Sequence, residues 1–100
     1  MELQKAQWEE LDNKKQINNK IEELKTKIRQ QNETLDFYHK AALKEAESLQ
    51  GSSLLKFKAN DIDITEFVQG INSAMSIKKQ YLEAIYNYNV SVLEFDLYTE

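Results

Sequence analysis

The residues with the most chemical potential in this chain are one histidine and two short acidic groupings. His39 follows Asp36 by three residues, a spacing that places both side chains on one face of a helix. A metal site needs further converging ligands, and none accompanies this pair, so we interpret His39 as a surface histidine. Asp61 and Asp63 resemble the start of a calcium loop, but the residues after them do not continue that pattern. Helix capping explains the two aspartates better.

Other signatures of chemistry are missing from the sequence. It contains no cysteine, which excludes disulfides and thiolate metal sites. It has no glycine-rich phosphate loop and no nucleophile motif. A pair of helices would also lack the enclosed pocket that an enzyme needs. We therefore expect no catalysis, no cofactor and no bound metal.

The composition indicates an elongated helical protein. The 100 residues include no proline and only two glycines, so helix breakers are nearly missing, and the hydrophobic share is 41%. The net charge is −4, and the charged residues are spread along the chain. This spread argues against a nucleic-acid interface or a basic membrane patch. No apolar run approaches the roughly 20 residues of a membrane helix.

Apolar residues in the first part of the chain recur at helical spacing and predict a coiled-coil seam. The seam comprises Ile17, Ile21, Leu24, Ile28, Leu35, Tyr38, Ala42 and Leu49. Gln31 and Glu45 occupy the remaining seam positions. We expect a helix over about 3–58, with Gly51 as the place where it becomes irregular.

The second part of the chain predicts a helix over about 64–98 with a more continuous seam. Its members are Ile64, Phe67, Ile71, Ala74, Lys78, Tyr81, Ile85, Tyr88, Val92 and Phe95. A second apolar stripe runs beside the seam and consists of Val68, Met75, Leu82, Tyr86, Leu93 and Leu97. A two-helix hairpin needs only one seam, so this stripe predicts a further neighbour. The simpler interpretation is the core of a small bundle, and we expect self-association, most simply as an antiparallel dimer.

A break at about 59–63 separates the two helices. Asn60 tolerates the left-handed backbone that often ends a helix, and Asp61 or Asp63 can cap the next one. Glu66 then places a carboxylate at a helix N-terminus, where the dipole favours it. The sequence therefore predicts an all-α fold, an antiparallel two-helix coiled-coil hairpin. Because the first helix is longer, residues before about 22 should lack a partner within the chain.

Several short motifs follow one another around the predicted turn: Phe57 before the turn, then Ile62-Asp63, Gln80-Tyr81-Leu82-Glu83-Ala84, Tyr88-Asn89 and Leu93-Glu94. With these motifs, the region 36–98 resembles the C-terminal helical hairpin of TolC-like outer-membrane efflux proteins, and the heavy-metal cation branch of that family most closely. The chain departs from that family at Ala59-Asn60, where glycine is common, at Lys44, where proline is frequent, and at Thr99-Glu100, where members often have Thr-Gly. Complete members also have a second hairpin and membrane β-strands, so we expect this chain to be a fragment.

The resemblance implies a periplasmic location in an outer-membrane or envelope-spanning efflux complex. Family members build a helical tunnel whose hairpin tips dock on a periplasmic adaptor (membrane fusion) protein, which in turn joins an inner-membrane RND-type pump. Carried onto this chain, the docking tip consists of Ala59, Asn60, Asp61, Ile62, Asp63, Ile64 and Glu66. The second apolar stripe would pack against the next helix of the tunnel wall.

Two alternatives remain open at this point. The chain could be a coiled-coil interaction or scaffold module that holds partners apart. It could also be the hairpin of a periplasmic adaptor, a class whose hairpins lie between two halves of a lipoyl-like β-domain. The order of the motifs around the turn favours the efflux protein.

Overall fold

The computed structural model describes residues 2–100, and the side chains from Leu3 onward. Met1, the first residue of the hairpin expected over 1–100, lies outside the described residues. Helix α1 spans Glu2–Phe37, a π-helical turn spans Tyr38–Ala42, α2 spans Leu43–Lys58 and α3 spans Ile64–Thr99. Residues 2–100 form no strand, and the molecule measures 83 × 22 × 15 Å. The predicted all-α helical hairpin is confirmed.

Helix α3 packs along both α1 and α2, with a thin core between them. Seven residues of the α3 seam, which we expected to pack against the first arm, are all buried or half-buried: Ile71, Ala74, Tyr81, Ile85, Tyr88, Val92 and Phe95. Leu24 is the largest apolar side chain among the fully buried residues. Ile64 differs from the expectation: it is 58% exposed, because it begins α3 beside the turn.

The irregularity in the first arm is the π turn, and the expectation of one at Gly51 was wrong. Gly51 lies within the regular helix α2. A π turn holds one more residue than an α turn, so it shifts which side chains face α3 afterwards. Glu45, which we expected on the seam, is therefore exposed, and Ala46 is fully buried in its place. The buried residues between α2 and α3 on the side of the turn are consequently small.

The helices approach closely near the turn because the facing side chains are small. Ala46, Ser53 and Ala74 are buried there. A Cβ atom placed on Gly70 would overlap the Ser53 hydroxyl and lie 3.1 Å from the Ser53 Cβ, so a side chain at this position requires Ser53 or the helices to move. Glycine at 70 thus suits the close approach of α2 and α3.

The unpaired end of α1 is shorter than we expected. Tyr98 near the end of α3 shares a surface groove with Asn13, Ile17 and Lys20, so α3 reaches further along α1 than residue 22. Only the residues of α1 before about 13 extend beyond the end of α3, and we call them the overhang. It carries Trp8, which is 70% exposed, together with Leu3 and Leu11.

Candidate partner-binding surfaces

Helix α2 ends in a Schellman motif, which satisfies its last carbonyl groups within the chain. The Asp61 amide donates to the Lys56 carbonyl at 2.9 Å, and the Asn60 amide donates to the Phe57 carbonyl at 3.1 Å. Asn60 has a φ of 59°, the left-handed conformation expected from the sequence. Asparagine adopts this backbone more readily than most residues because its short side chain bonds locally. The chain therefore reverses without a glycine.

Helix α3 begins with Asp63 as its N-cap, which decides between the two aspartates considered from the sequence. Asp63 Oδ1 accepts a hydrogen bond of 2.8 Å from the Glu66 amide. Its backbone is extended, with φ −83° and ψ 175°, as an N-cap residue requires. Glu66 lies in the first turn, where its carboxylate faces the positive end of the helix dipole. The Asp61 side chain has no such role and is exposed.

The base of the turn is held by two stacked aromatic rings. Phe57 and Phe67 lie with centroids 4.7 Å apart and planes 22° from parallel. Both are half-buried, and so is Ile62. The stacked rings of Phe57 and Phe67 join the end of α2 to the start of α3.

The structure places the seven residues of the expected docking tip together at one end of the rod. Six of them are exposed, and only Ile62 is half-buried. The exposed members are Ala59, Asn60, Asp61, Asp63, Ile64 and Glu66. Hydrogen bonds hold the turn to the end of α2 on one side and to the start of α3 on the other, so they define the shape of this surface.

The second apolar stripe is exposed along the length of α3. Its six side chains are between 46% and 71% exposed: Val68, Met75, Leu82, Tyr86, Leu93 and Leu97. The other flank of α3 packs on α1 and α2, so nothing within residues 2–100 covers the stripe. The stripe is the second surface on which the chain could bind a partner.

A polar and aromatic cluster crosses the hairpin at the π turn, and the sequence did not reveal it. The Tyr38 hydroxyl donates to Gln80 Oε1 at 3.2 Å, and the Tyr81 hydroxyl lies 3.5 Å from His39 Nε2. Asp36, which we considered as a partner of His39, instead forms an ion pair of 2.9 Å with Lys40. Such a cross-helix contact requires the register of the two helices, which periodicity alone does not supply. Among residues 2–100 no group of three or more acidic, histidine or cysteine side chains could hold a metal ion.

The grooves on the molecule are shallow channels between neighbouring side chains. One lies between the two arms and is lined by Lys25, Ile28, Arg29, Asn32, Tyr88, Val92, Phe95 and Asp96. Phe95 of α3 and Lys25 of α1 meet in this groove, as an antiparallel hairpin that reverses at about residue 60 requires. Within the part of the chain that is described, no helix is sufficiently long and apolar to span a membrane.

Comparisons with protein-family models, with curated proteins and with solved structures found no match for this chain. The residues of the chain and the two surfaces described above are therefore the basis for inferring its function.

Proposed function

We propose that this chain is the periplasmic α-helical hairpin of a TolC-like outer-membrane efflux component. In this proposal it forms tunnel wall and the adaptor-docking tip of a tripartite efflux system for heavy-metal cations. Its partners are a periplasmic adaptor protein and, through the adaptor, an inner-membrane RND-type pump. The hairpin would act by shape and recognition, without catalysis.

The observation that carries the proposal is the tip. It is fixed in shape by the Schellman motif and the Asp63 cap, and it lies at the end of a molecule 83 Å long. Its exposed side chains include Asp61 and Glu66, whose carboxylates are free to bind donors on another protein. The motifs that resemble the efflux family are arranged around this same turn.

The exposed stripe supports the second part of the proposal. A tunnel wall consists of helices that contact a neighbour on each side, so a wall helix needs apolar surface beyond its hairpin seam. Helix α3 has this second surface, from Val68 to Leu97. We infer that the hairpin associates with further helices, from copies of itself or from other parts of the same assembly, into a larger bundle.

Binding of the purified chain to a periplasmic adaptor protein from the same organism tests the proposal. We expect Asp61→Ala to weaken binding and to leave helical circular dichroism unchanged, since the Asp61 side chain is exposed and does not cap a helix. Glu47→Ala is the matched control, because Glu47 is also an exposed acidic residue but lies on α2 away from the tip. Equal adaptor binding by wild type and Asp61→Ala would remove the tip from the recognition surface.

A coiled-coil interaction module is the second candidate, favoured by the exposed stripe. It predicts self-association without adaptor binding. The adaptor-binding assay separates the two functions. A chain that self-associates but does not bind the adaptor would be an interaction module and not an efflux component.

A further inference from the structure

The groove between the two arms has an apolar floor that the hairpin covers only in part. Four half-buried seam residues form this floor: Ile28 from α1 and Tyr88, Val92 and Phe95 from α3. The groove follows the hairpin from Lys25 to Asn32, which is about 10 Å or two helical turns. None of its residues belongs to the tip or to the exposed stripe on α3.

The walls of this groove differ in charge. The α1 wall carries Lys25, Arg29 and Asn32, and the α3 wall carries Asp96. Lys25 already forms an ion pair of 3.2 Å with Glu22 on its own helix. The Arg29 side chain, by contrast, forms no ion pair or hydrogen bond with another residue in the described part of the chain. The α1 wall therefore has an unused guanidinium directly beside apolar surface.

A helix is the occupant that the shape of the groove favours. The groove is shallow and open along its length, so a small molecule in it would leave much of its surface in water, unlike the ligands of enclosed pockets. A helix lying along the junction of two antiparallel helices covers both walls at once. Its apolar residues at helical spacing then fill the groove, as in other helix-in-groove complexes.

The charge of the walls defines which border of that helix is acidic. The planar guanidinium of arginine binds a carboxylate through two parallel hydrogen bonds, and arginine is enriched in protein interfaces. Arg29 is the only arginine of the chain. Because Asp96 on the opposite wall repels carboxylates, the acidic border must face α1.

We propose that the groove binds an amphipathic helix of another protein, with the apolar face of that helix over Ile28, Val92 and Phe95. A glutamate or aspartate on one border of the helix pairs with Arg29. This contact goes beyond the proposed function, which places partners at the tip and along the stripe and assigns none to the groove.

Two synthetic peptides serve as probes of the groove. Each has three heptads with leucine at the first and fourth positions and glutamine on one border of the leucines. The other border is glutamate in one peptide and lysine in the other. Fluorescence anisotropy follows binding of each labelled peptide, at concentrations where it sediments as a monomer.

We expect the wild-type chain to bind the glutamate peptide about threefold to tenfold more tightly than the lysine peptide. The chain has a net charge of −4, which at long range favours the lysine peptide. At about 0.15 M salt this long-range attraction is largely screened, so a preference for glutamate reports the local charge of the groove.

Substitutions at Arg29 identify the residue that produces this preference. Arg29→Gln should remove the preference, and Arg29→Glu should reverse it in favour of the lysine peptide. Lys27→Glu is the matched control, because Lys27 is an exposed cation of α1 that does not line the groove. It should change neither affinity by more than about twofold. Thermal unfolding by circular dichroism verifies that each variant is folded.

Nuclear magnetic resonance locates the bound peptide. The glutamate peptide should shift the amide signals of residues 25–32 and 88–96. Shifts confined to the stripe on α3, or an unchanged glutamate preference in Arg29→Gln, would overturn the proposal. Groove signals that move with the concentration of the chain alone would assign the groove to a second copy and would also overturn it. Adaptor binding through Asp61 is measured separately, so failure of one proposal leaves the other standing.

Discussion

The Ser53 side chain occupies the space into which a side chain at Gly70 would project. A Cβ atom at Gly70 would overlap the Ser53 hydroxyl and lie 3.1 Å from the Ser53 Cβ. The hydroxyl can rotate away, but the Cβ contact yields only if the two helices separate. The spacing between α2 and α3 near the turn is thus set by a pair of small residues.

Gly70→Ala should lower the free energy of unfolding, by about 1 kcal/mol, even though alanine is the better helix former. The combined variant Ser53→Ala with Gly70→Ala should recover part of this loss, because it removes the hydroxyl. Urea unfolding followed by circular dichroism measures both.

Gly51→Ala is the matched control for this experiment. Nothing lies within 4 Å of a Cβ atom at Gly51, so alanine there should stabilise the hairpin by about 0.5–1 kcal/mol. A stabilising Gly70→Ala variant would show that the helices have room to spare at Ser53.

The π turn holds one residue more than the regular helix needs. Deleting the exposed Ala41 should convert Tyr38–Ala42 into α-helix and keep Ala46 and Ser53 facing α3. We expect this deletion to maintain or raise the melting temperature. Deletion of Gln30, in the regular part of α1, should lower it, because every seam residue on one side of the gap rotates away from α3. Equal melting temperatures for the two deletions would mean that the π turn does not set the register.

A charge on the seam of α3 should unfold the hairpin, and the same charge on the stripe should not. Ile85→Asp places an unpaired carboxylate in the thin core and should cost about 3 kcal/mol or more. Leu82→Asp, three residues earlier, adds the carboxylate to an exposed position and should leave the melting temperature of the monomer nearly unchanged. Tyr81→Asp should behave like Ile85→Asp. Thermal unfolding at low protein concentration, monitored by circular dichroism, compares the three variants. Similar decreases in melting temperature for Leu82→Asp and Ile85→Asp would contradict the distinction between seam and stripe.

The two aspartates of the turn should differ in their effect on stability. Asp63→Ala removes the hydrogen bond to the Glu66 amide and should cost about 1 kcal/mol, whereas Asp63→Asn retains a capping oxygen and should cost much less. Asp61→Ala should change the free energy of unfolding by less than about 0.5 kcal/mol, as is usual for an exposed side chain. Chemical denaturation of the three variants measures this difference. A larger loss for Asp61→Ala than for Asp63→Ala would reverse the assignment of the cap.

The sequence by itself determined the two helices, the place where the chain reverses and the surface left uncovered. Apolar spacing defines a helix face whatever that face later contacts, so the seam on α3 and the stripe from Val68 to Leu97 were both predictable. Asn60 and the aspartates located the turn because their backbone and capping preferences are local.

Only the tertiary structure decided how the two helices match each other. The π turn, the burial of Ala46 in place of Glu45 and the contact of Ser53 with Gly70 all depend on how far apart and in what register α2 and α3 lie. The link between His39 and Tyr81 has the same origin, since the two residues are 42 positions apart in the chain. Such features minimise the free energy of the packed pair and leave no periodic signal in either helix alone.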